Sequence, residues 1–397
     1  MKTRKENTGE EVSLYGKMEP ESKEEPVPEQ GRNKTMMKVL EENAPNAVKV
    51  RIVGVGNAGC SIISRIFDQI QGVDFVAFNT DGSGLRFNRA HIKIQIGEKT
   101  TAGGGTGRDP EKGKFAANED RARIEEVLKG SGIVFLTAGL GGGTGTGSSP
   151  VIARIAKDLQ AIVIALVTTP FAFEGPKKMD QAKSGLEILE KNVDTLIHIS
   201  NERLAEIVDQ KTAMVTAFAK VDEIISRTIS SIADLINKPN PTLLDIDFAD
   251  ISAMVRDAGR GIVGLGYGKG ENRIEKAARS AIEDPLLEKS DIMEAKKILI
   301  SITGSPDLTL YEVHEAMNII QTRISADARE VGVTLDHKLD NEVKVTLLAT
   351  GLGKVHIESK KPAPPPTLET TLITEDDQKL VDLPPRMREQ LQSKKGK

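Results

Sequence analysis

Apolar residues follow two alternating spacings along the chain. Continuous apolar runs predict buried strands, as in Ile133–Ala138 and Ala161–Val167. Apolar residues three or four positions apart predict helices, as in Ile62–Ile70 and Val151–Leu159. Strands that alternate with helices and are apolar on both faces are typical of a parallel sheet covered by helices on both sides. The predicted fold class is therefore α/β, with a mostly parallel, Rossmann-like sheet.

Three glycine-rich loops follow predicted strands, at Gly54–Gly59, Gly103–Gly107 and Gly139–Gly147. Glycines let consecutive backbone N–H groups turn toward one anion, and the start of a helix adds the positive end of its dipole. Thr144 and Thr146 add hydroxyl donors. Ligands of parallel α/β sheets bind at the carboxyl ends of the strands, where all three loops are expected. Together the loops predict a cradle for a triphosphate.

Other interpretations of these glycines fit less well. The loop Gly54–Gly59 matches the dinucleotide fingerprint G-x-G-x-x-G, so an NAD-dependent oxidoreductase is the rival hypothesis. Such an enzyme holds its pyrophosphate with one glycine loop, whereas this chain has three. A Walker P-loop does not fit, because Gly107 and Gly113 are one residue too far apart and Phe115 stands where Ser or Thr is needed. Flexible linkers do not usually lie between a buried strand and a helix.

The second half of the chain begins with a long predicted helix over residues 212–237, whose apolar stripe is broad enough to pack on two sides. Pro239 and Pro241 end it. We interpret this helix as the connection to a smaller α/β domain. Further strands are predicted over residues 261–266, 298–303 and 342–350, and further helices over residues 110–129, 177–192, 272–282 and 308–324.

The two ends differ in composition from the middle. Residues 1–46 carry few large apolar groups and are predicted to be a disordered tail. Residues 356–397 begin with a proline-rich linker and end in an apolar and proline cluster, Asp382–Gln390, which is typical of a docking peptide. Between them we predict a nucleotide-binding domain over residues 47–211, the central helix over 212–237 and a C-terminal α/β domain over 238–355.

Composition excludes several classes of protein. The 397 residues include 28% charged and 3% aromatic residues, with a net charge of −4, so no basic surface for nucleic acid is expected. The single cysteine, Cys60, excludes an intramolecular disulfide and fits a reducing cytosol. The longest apolar stretches, near 161–167 and 298–302, are too short to cross a bilayer, and no signal peptide is predicted. A cytoplasmic protein without direct membrane insertion is expected.

Five motifs between residues 49 and 352 occur together in one known family. They are Asn79-Thr80-Asp81, the loop ending at Pro110, Gly139–Gly147, Pro170–Gly175 and Asp247-Phe248-Ala249-Asp250. By these motifs the chain resembles the tubulin superfamily and, within it, the prokaryotic FtsZ family of cell-division GTPases. Asn57–Cys60 is somewhat tubulin-like, which is compatible with an archaeal member.

The resemblance implies a GTP site and its residues. Gly143, Thr144 and Gly145 would hold the phosphates, Glu174 the ribose and Asp222 the guanine edge. A carboxylate that accepts from guanine N1 and N2 selects against adenine, which lacks this donor pair. From the sequence alone, however, Asp222 is expected to be a solvated helix residue. Further nucleotide contacts are implied at Gly56, Asn57, Ala58, Gly59, Cys60, Ser61, Asp81, Gly105, Thr106, Gly107, Gly142, Thr146, Lys178 and Asn201.

The resemblance also implies that Asp247 and Asp250 are catalytic, together with Asp245. Taken alone, Asp247 and Asp250 are expected to be first-turn residues that suit a helix N-terminus. In the family's pattern they reach the γ-phosphate of GTP held by the next subunit and polarise the attacking water, while Mg²⁺ bridges phosphate oxygens. Hydrolysis would then require head-to-tail assembly, a contact that does not close and so forms filaments. No protein ligand to the metal is predicted.

Several residues depart from the family's usual pattern. Asp245 stands where Asn is usual, Lys178 where Arg is common, Ser61 where Asn occurs, and Arg108-Asp109 where a small residue and Asn occur. Arg386 occupies an aromatic position of the C-terminal peptide. These changes leave the cradle intact, but they are expected to alter the GTPase rate and the choice of partner.

The sequence therefore predicts a GTPase that polymerises head to tail and forms the cytokinetic ring at mid-cell. The expected partners are other copies of itself and, through Asp382–Gln390, membrane-anchor or division proteins. The alternative is a tubulin-like filament that uses GTP mainly as an assembly switch, for cell shape or plasmid positioning.

Overall fold

The computed structural model describes residues 48–203, 211–237, 242–283, 294–322, 324 and 328–353. The predicted tails, residues 1–46 and 356–397, lie outside these ranges. The predicted domain boundaries at residues 211 and 237 stay predictions.

The described residues form strands and helices that alternate through most of the chain. The strands are β1 Val50–Val55, β2 Asp74–Asn79, β3 Ile92–Gln95, β4 Ile133–Gly139, β5 Ile162–Thr169, β6 Thr195–Ser200, β7 Thr242–Leu244, β8 Gly259–Lys269, β9 Lys297–Gly304, β10 Ala328–Leu335 and β11 Glu342–Leu352. The helices are α1 Gly56–Ile66, α2 Gly82–Arg86, α3 Glu98–Thr101, α4 Pro110–Glu119, α5 Arg121–Leu128, α6 Thr144–Asp158, α7 Pro176–Glu190, α8 Met214–Asn237, α9 Phe248–Val255, α10 Arg273–Ile282 and α11 Leu310–Gln321, with a 3₁₀ turn at Ala172–Glu174.

All the strands belong to one sheet in the order β3-β2-β1-β4-β5-β6-β8-β11-β9-β10-β7. The first six pair in parallel and have the doubly wound order 3-2-1-4-5-6. This confirms the predicted α/β fold with a mostly parallel sheet. The strand order reverses between β1 and β4, and a crevice opens at such a switch point. The first and third glycine loops follow these two strands.

Helices cover both faces of the parallel part. Successive residues of a strand point to opposite faces, so Phe75 joins the core under α1 and α8, and Val76 joins the core under α6 and α7. Both cores consist almost entirely of fully buried aliphatic and aromatic side chains. The continuous apolar runs in the sequence reflect this burial on both sides.

The sheet continues into the second half of the chain. Strand β8 pairs in parallel with β6, from Thr195 opposite Gly259 to Ile197 opposite Gly261. Beyond it β8, β11 and β9 are antiparallel neighbours, and α10 and α11 cover a third core. The long helix α8 packs into the core on the α1 side, with Ile225, Ile229 and Ile232 fully buried or nearly so.

One predicted helix is wrong in extent. Residues 110–129 form two helices, α4 and α5, which are separated at Asp120. The carboxylate of Asp120 accepts a hydrogen bond from the Gly97 nitrogen at 2.7 Å and pairs with Arg123 at 2.8 Å. This tertiary contact explains a break that the helical spacing does not reveal. The prediction also omitted the short strands β3 and β7 and the strand β10.

Candidate nucleotide site

A cavity of about 850 Å³ opens at the carboxyl ends of β1, β2, β4 and β5 and reaches the first half of α8. This volume lies within the usual range of cofactor sites. All three glycine loops contribute to its wall, as do Glu174, Lys178 and Asn201. Of the nucleotide contacts predicted from the sequence, all except Gly59, Cys60 and Thr146 line this cavity.

Gly59 and Cys60 face the protein interior. A Cβ atom at Gly59 would overlap the carbonyl oxygen of Thr137, so this glycine allows α1 to pack closely on β4. Cys60 is buried, and its Sγ lies 3.6 Å from the carbonyl oxygens of Gly54 and Phe78. Burial raises the pKa of the Cys60 thiol to about 12. Both residues therefore support the wall of the cavity from behind, and their predicted contact with the nucleotide stays a prediction.

The phosphate end is built by the loop between β4 and α6, and α6 begins at Thr144. The N-terminus of this helix, together with Gly142–Gly145 in the cavity wall, offers backbone N–H donors and a helix dipole to an anion. Thr146 does not line the cavity: it is buried, and its hydroxyl accepts a hydrogen bond from the Gly141 nitrogen at 2.9 Å. The Thr144 hydroxyl lies 2.6 Å from that of Thr80.

Asp222 on α8 lines the part of the cavity next to the last turn of α1. Its residue exposure is only 5%, so the expectation of a solvated helix residue is wrong. Arg65 of α1 pairs with both carboxylate oxygens, with Nη2 2.8 Å from Oδ1. Phe218, one helical turn before Asp222, also lines the cavity and contacts the Phe171 ring edge-to-face at a centroid distance of 5.9 Å. This part of the cavity thus offers a buried carboxylate, a guanidinium and an aromatic surface.

Sequence reasoning missed Arg65 and Phe218. A signal for Phe218 was available, because residues four positions apart share a helix face and Asp222 had been singled out. Arg65 had no such signal, since a basic residue in the last turn of a helix commonly reflects the helix dipole.

Asn201 lies in the cavity wall and has a buried side-chain oxygen that could accept a hydrogen bond. The residue is 8% exposed, and its Oδ1 accepts no hydrogen bond from the described part of the chain. Buried polar atoms almost always have a partner. A ligand with an N–H or O–H donor would satisfy this atom.

The carboxylates that line the cavity are Asp81, Glu174 and Asp222, and each already has partners. Glu174 pairs with Lys178 and accepts from the Phe171 nitrogen at 3.0 Å. Asp81 caps α2, where hydrogen bonds, chiefly from the Ser83 hydroxyl, hold its pKa below the usual value.

The predicted catalytic aspartates do not line the cavity of their own chain. Asp247 caps α9: it accepts from the Asp250 nitrogen at 2.8 Å, and Asp250 accepts from the Asp247 nitrogen at 3.1 Å. This is the reciprocal arrangement known as a capping box. Asp245 is exposed just after β7. Within one chain the structure does not bring these residues together with the glycine loops.

Neither a cluster of metal-ligating side chains nor a membrane-spanning helix occurs in the described residues. In the ranges given above, no group of three His, Cys, Asp or Glu side chains is placed to hold a metal ion. No helix in the same ranges is long and apolar enough to cross a membrane.

Comparisons with known proteins agree with this geometry. Residues 49–209 match the Tubulin/FtsZ family GTPase domain, and residues 259–353 match the FtsZ family C-terminal domain. The FtsZ dimer of M. jannaschii is 38% identical with a TM-score of 0.73, and the match covers 81% of this chain and 92% of that chain. This chain belongs to the FtsZ family. A point mutant of M. jannaschii FtsZ is also 38% identical, with a TM-score of 0.72, over 81% of this chain and 96% of that one.

A more distant likeness shows the fold alone. The GTPγS-bound protofilament of CetZ2 from Haloferax volcanii is 24% identical with a TM-score of 0.66, over 77% of this chain and 94% of that chain. Membership of the FtsZ family makes this protein a GTPase that binds GTP and GDP, and it removes the NAD-dependent oxidoreductase from consideration.

Proposed function

We propose that this FtsZ-family GTPase assembles head to tail and hydrolyses GTP in a site shared by two copies of the chain. The observation that carries the proposal is the state of the cavity's own carboxylates. Asp222 is paired with Arg65, Glu174 with Lys178, and Asp81 caps a helix. We assign none of these three carboxylates to polarise the attacking water, and a carboxylate of a second copy of the chain would take that role.

Asp247 and Asp250 suit this role because they lie at the start of α9, away from the cavity of their own chain. Asp247 is exposed and Asp250 half-buried, so a neighbouring copy can approach them. A contact between the cavity of one copy and this aspartate pair of the next joins two different surfaces. Such heterologous contacts do not close, and they propagate as filaments. The solved relatives include an FtsZ dimer and a CetZ2 protofilament, which is consistent with self-association.

Within the cavity, we assign Gly143, Thr144 and Gly145 to the phosphates, Glu174 to the ribose and Asp222 to guanine N1 and N2. Helix α1 begins next to Gly145 and carries Arg65, the partner of Asp222, nine residues later, so these two parts of the cavity wall are roughly 13 Å apart. Mg²⁺ would bind mainly to phosphate oxygens and water, as it usually does at such sites, and would neutralise phosphate charge.

A mixing experiment tests the shared site. Asp247→Asn removes the carboxylate charge but keeps the helix cap, because Asn caps as well as Asp. Gly142→Glu blocks the cavity with a negative charge, and it should fold because no heavy atom lies within 4 Å of a Cβ at Gly142. Each variant alone should hydrolyse little GTP. In an equal mixture, about a quarter of the contacts pair an intact cavity of one copy with an intact Asp247 of the next. GTP turnover should therefore recover to about a quarter of the wild-type value at most.

The same experiment can refute the proposal. If the mixture is no more active than its components, or if wild-type turnover per chain is independent of protein concentration, one chain holds a complete site. Retained activity in Asp247→Asn alone would remove the aspartate from the mechanism.

The cellular role proposed is the cytokinetic ring at mid-cell, with the peptide Asp382–Gln390 recruiting membrane-anchor or division proteins. That peptide lies outside the described residues. A fluorescent fusion should localise to the division site, and depletion should block septation.

A second candidate is a filament for cell shape or plasmid positioning that uses GTP mainly as an assembly switch. Asp245 favours it, since it adds negative charge beside an anionic substrate. Normal septation after depletion, with slow GTP turnover, would support this second role.

A further inference from the structure

Arg108 lines the nucleotide cavity, although it was not among the predicted nucleotide contacts. It belongs to the loop Gly104–Arg108 before α4, and this loop packs against the phosphate loop. A Cβ atom at Gly143 would lie 2.8 Å from the Asp109 nitrogen and still closer to the Thr106 hydroxyl. Residues on both sides of Arg108 therefore touch the loop where the phosphates are expected.

The position of α1 confirms which end of the cavity this is. Helix α1 begins at Gly56, next to Gly145, and carries Arg65 near its end, next to Asp222. Nine residues of α-helix, at about 1.5 Å each, separate these points by roughly 13 Å. The loop with Arg108 contacts the Gly143 end, whereas the base is expected at the Asp222 end.

Arg108 is also the cation that the cavity leaves uncommitted. Three basic side chains line the wall: Arg65, Lys178 and Arg108. The first two pair with Asp222 and Glu174. Across the described ranges, the guanidinium of Arg108 has no carboxylate partner. It is exposed on the cavity wall and available to an anionic ligand.

The backbone at Arg108 is one that glycine adopts most easily. Its φ is +66°, in the left-handed region, and the neighbouring Gly105 and Gly107 have φ of +80° and +62°. A residue with a Cβ atom in this region costs on the order of 1 kcal/mol or more, and such residues cluster at functional sites. The turn is fixed by the Asp109 nitrogen, which donates to the Thr106 carbonyl at 3.2 Å, and by Gln181, which donates to the Arg108 carbonyl at 3.3 Å.

We propose that Arg108 donates to oxygens of the γ-phosphate of bound GTP and stabilises the charge redistributed there during hydrolysis. The inference rests on the GTPase function proposed above. The oxygen of a water molecule bonds to the γ-phosphorus, and the bond from that phosphorus to the β–γ bridging oxygen breaks. The bridging oxygen keeps the electron pair and becomes a terminal oxygen of GDP, and the protons of the water pass to the released phosphate and solvent. Arg108 exchanges no proton in this step, and its planar fork fits two phosphate oxygens.

The test compares Arg108→Gly and Arg108→Lys with the wild type. Glycine suits the positive φ, so Arg108→Gly should unfold at the same temperature as the wild type or above it. Its GTP turnover should fall by about ten- to a thousandfold, at or below the range for arginines that serve phosphoryl transfer. Its affinity for GTPγS should fall several-fold more than its affinity for GDP, because only GTPγS carries the third phosphate. Arg108→Lys should be intermediate, since it keeps the charge but loses the fork.

Ala102→Gly is the matched control. Ala102 is exposed, has a φ of +49° and precedes the same loop, but it does not line the cavity. This variant relaxes the backbone without removing the cation, so its turnover should stay within about twofold of the wild type. If it loses as much activity as Arg108→Gly, loop rigidity rather than the cation is responsible and the proposal is wrong.

Two further results would overturn the proposal. One is unchanged GTP turnover in Arg108→Gly. The other is a loss of affinity in Arg108→Gly that is equal for GTPγS and GDP. A wild-type protein that bound GTPγS but did not hydrolyse GTP would refute the GTPase function instead. In that case the ratio of GTPγS to GDP affinity, measured below the assembly concentration, still decides the role of Arg108.

Discussion

Two neighbouring glycines of the phosphate loop should respond in opposite ways to the same substitution. A Cβ atom at Gly143 would lie 2.7 Å from the Asp109 carbonyl oxygen and 2.8 Å from its nitrogen, and closer still to the Thr106 hydroxyl. A Cβ atom at Gly142 would meet no heavy atom within 4 Å. Neither glycine has a positive φ, so the backbone accepts alanine at both positions. The two substitutions therefore differ in the space available to one methyl group.

The cost of Gly143→Ala follows from what must move. Asp109 is the N-cap of α4, so its backbone shifts only if the start of that helix shifts. Overpacking of this kind typically costs about 1–3 kcal/mol. If the loop stays in place, the free energy of unfolding falls by that amount. If the loop Gly104–Arg108 moves outward, the cost reappears as about 5- to 150-fold weaker nucleotide binding, because the cradle must close again.

The assay is urea denaturation of nucleotide-free protein, followed by titration with a fluorescent GDP analogue. For Gly143→Ala, the losses of unfolding and binding free energy should together reach about 1–3 kcal/mol. For Gly142→Ala, the free energy of unfolding should be unchanged or higher by up to about 1 kcal/mol, because alanine restricts the unfolded chain. Wild-type stability and affinity in Gly143→Ala would refute the packing argument. An equal loss of stability in Gly142→Ala would do the same.

Three further predictions concern other parts of the molecule. Burial lowers the pKa of His198 from its ordinary 6.5 to about 4. The free energy of unfolding should therefore fall by up to about 3 kcal/mol as the pH is lowered from 6.5 toward 4, because the unfolded chain binds a proton that the folded chain does not. In denaturation experiments across that pH range, His198→Gln should reduce this loss. Arg273 is buried and bonds Glu312 at 2.7 and 3.1 Å, so Arg273→Met should cost about 3–5 kcal/mol in chemical denaturation. As a control, Arg279 forms an exposed ion pair with Glu275, so Arg279→Met should lower the free energy of unfolding by less than about 1 kcal/mol. Asp222→Asn should weaken GTP binding about 10- to 100-fold and reduce the preference for GTP over ITP, which lacks the 2-amino donor, in competition titrations.

Much of the fold was predictable because its signals are local. Continuous apolar runs marked β4 and β5, and helical spacing marked α6 and α8. The break at Asp120 was not predictable, because its cause is a hydrogen bond from Gly97, more than twenty residues away in sequence. Strand β7 is three residues long and carries no alternation, so it becomes a strand only by pairing with β10.

The candidate site, like the fold, was only partly predictable from the sequence. The glycine loops were evident from composition and order, and most of the predicted contacts line the cavity. Cys60 and Thr146 do not line the cavity, and a motif does not state which way each side chain points. Arg65 and Arg108 were missed as contacts, because an arginine looks the same in sequence whether it faces solvent or a cavity.

By itself, the sequence determined the α/β class, the three phosphate-binding loops and the resemblance to the tubulin superfamily, since these depend on residue type and on spacing within short segments. Only the tertiary structure decided which glycines serve packing, that Asp222 is buried against Arg65, and that Asp247 and Asp250 lie apart from the cavity of their own chain. These features depend on distances between segments far apart in the chain. Such distances are fixed when the sheet closes and the helices pack on it, and the order of the residues does not record them.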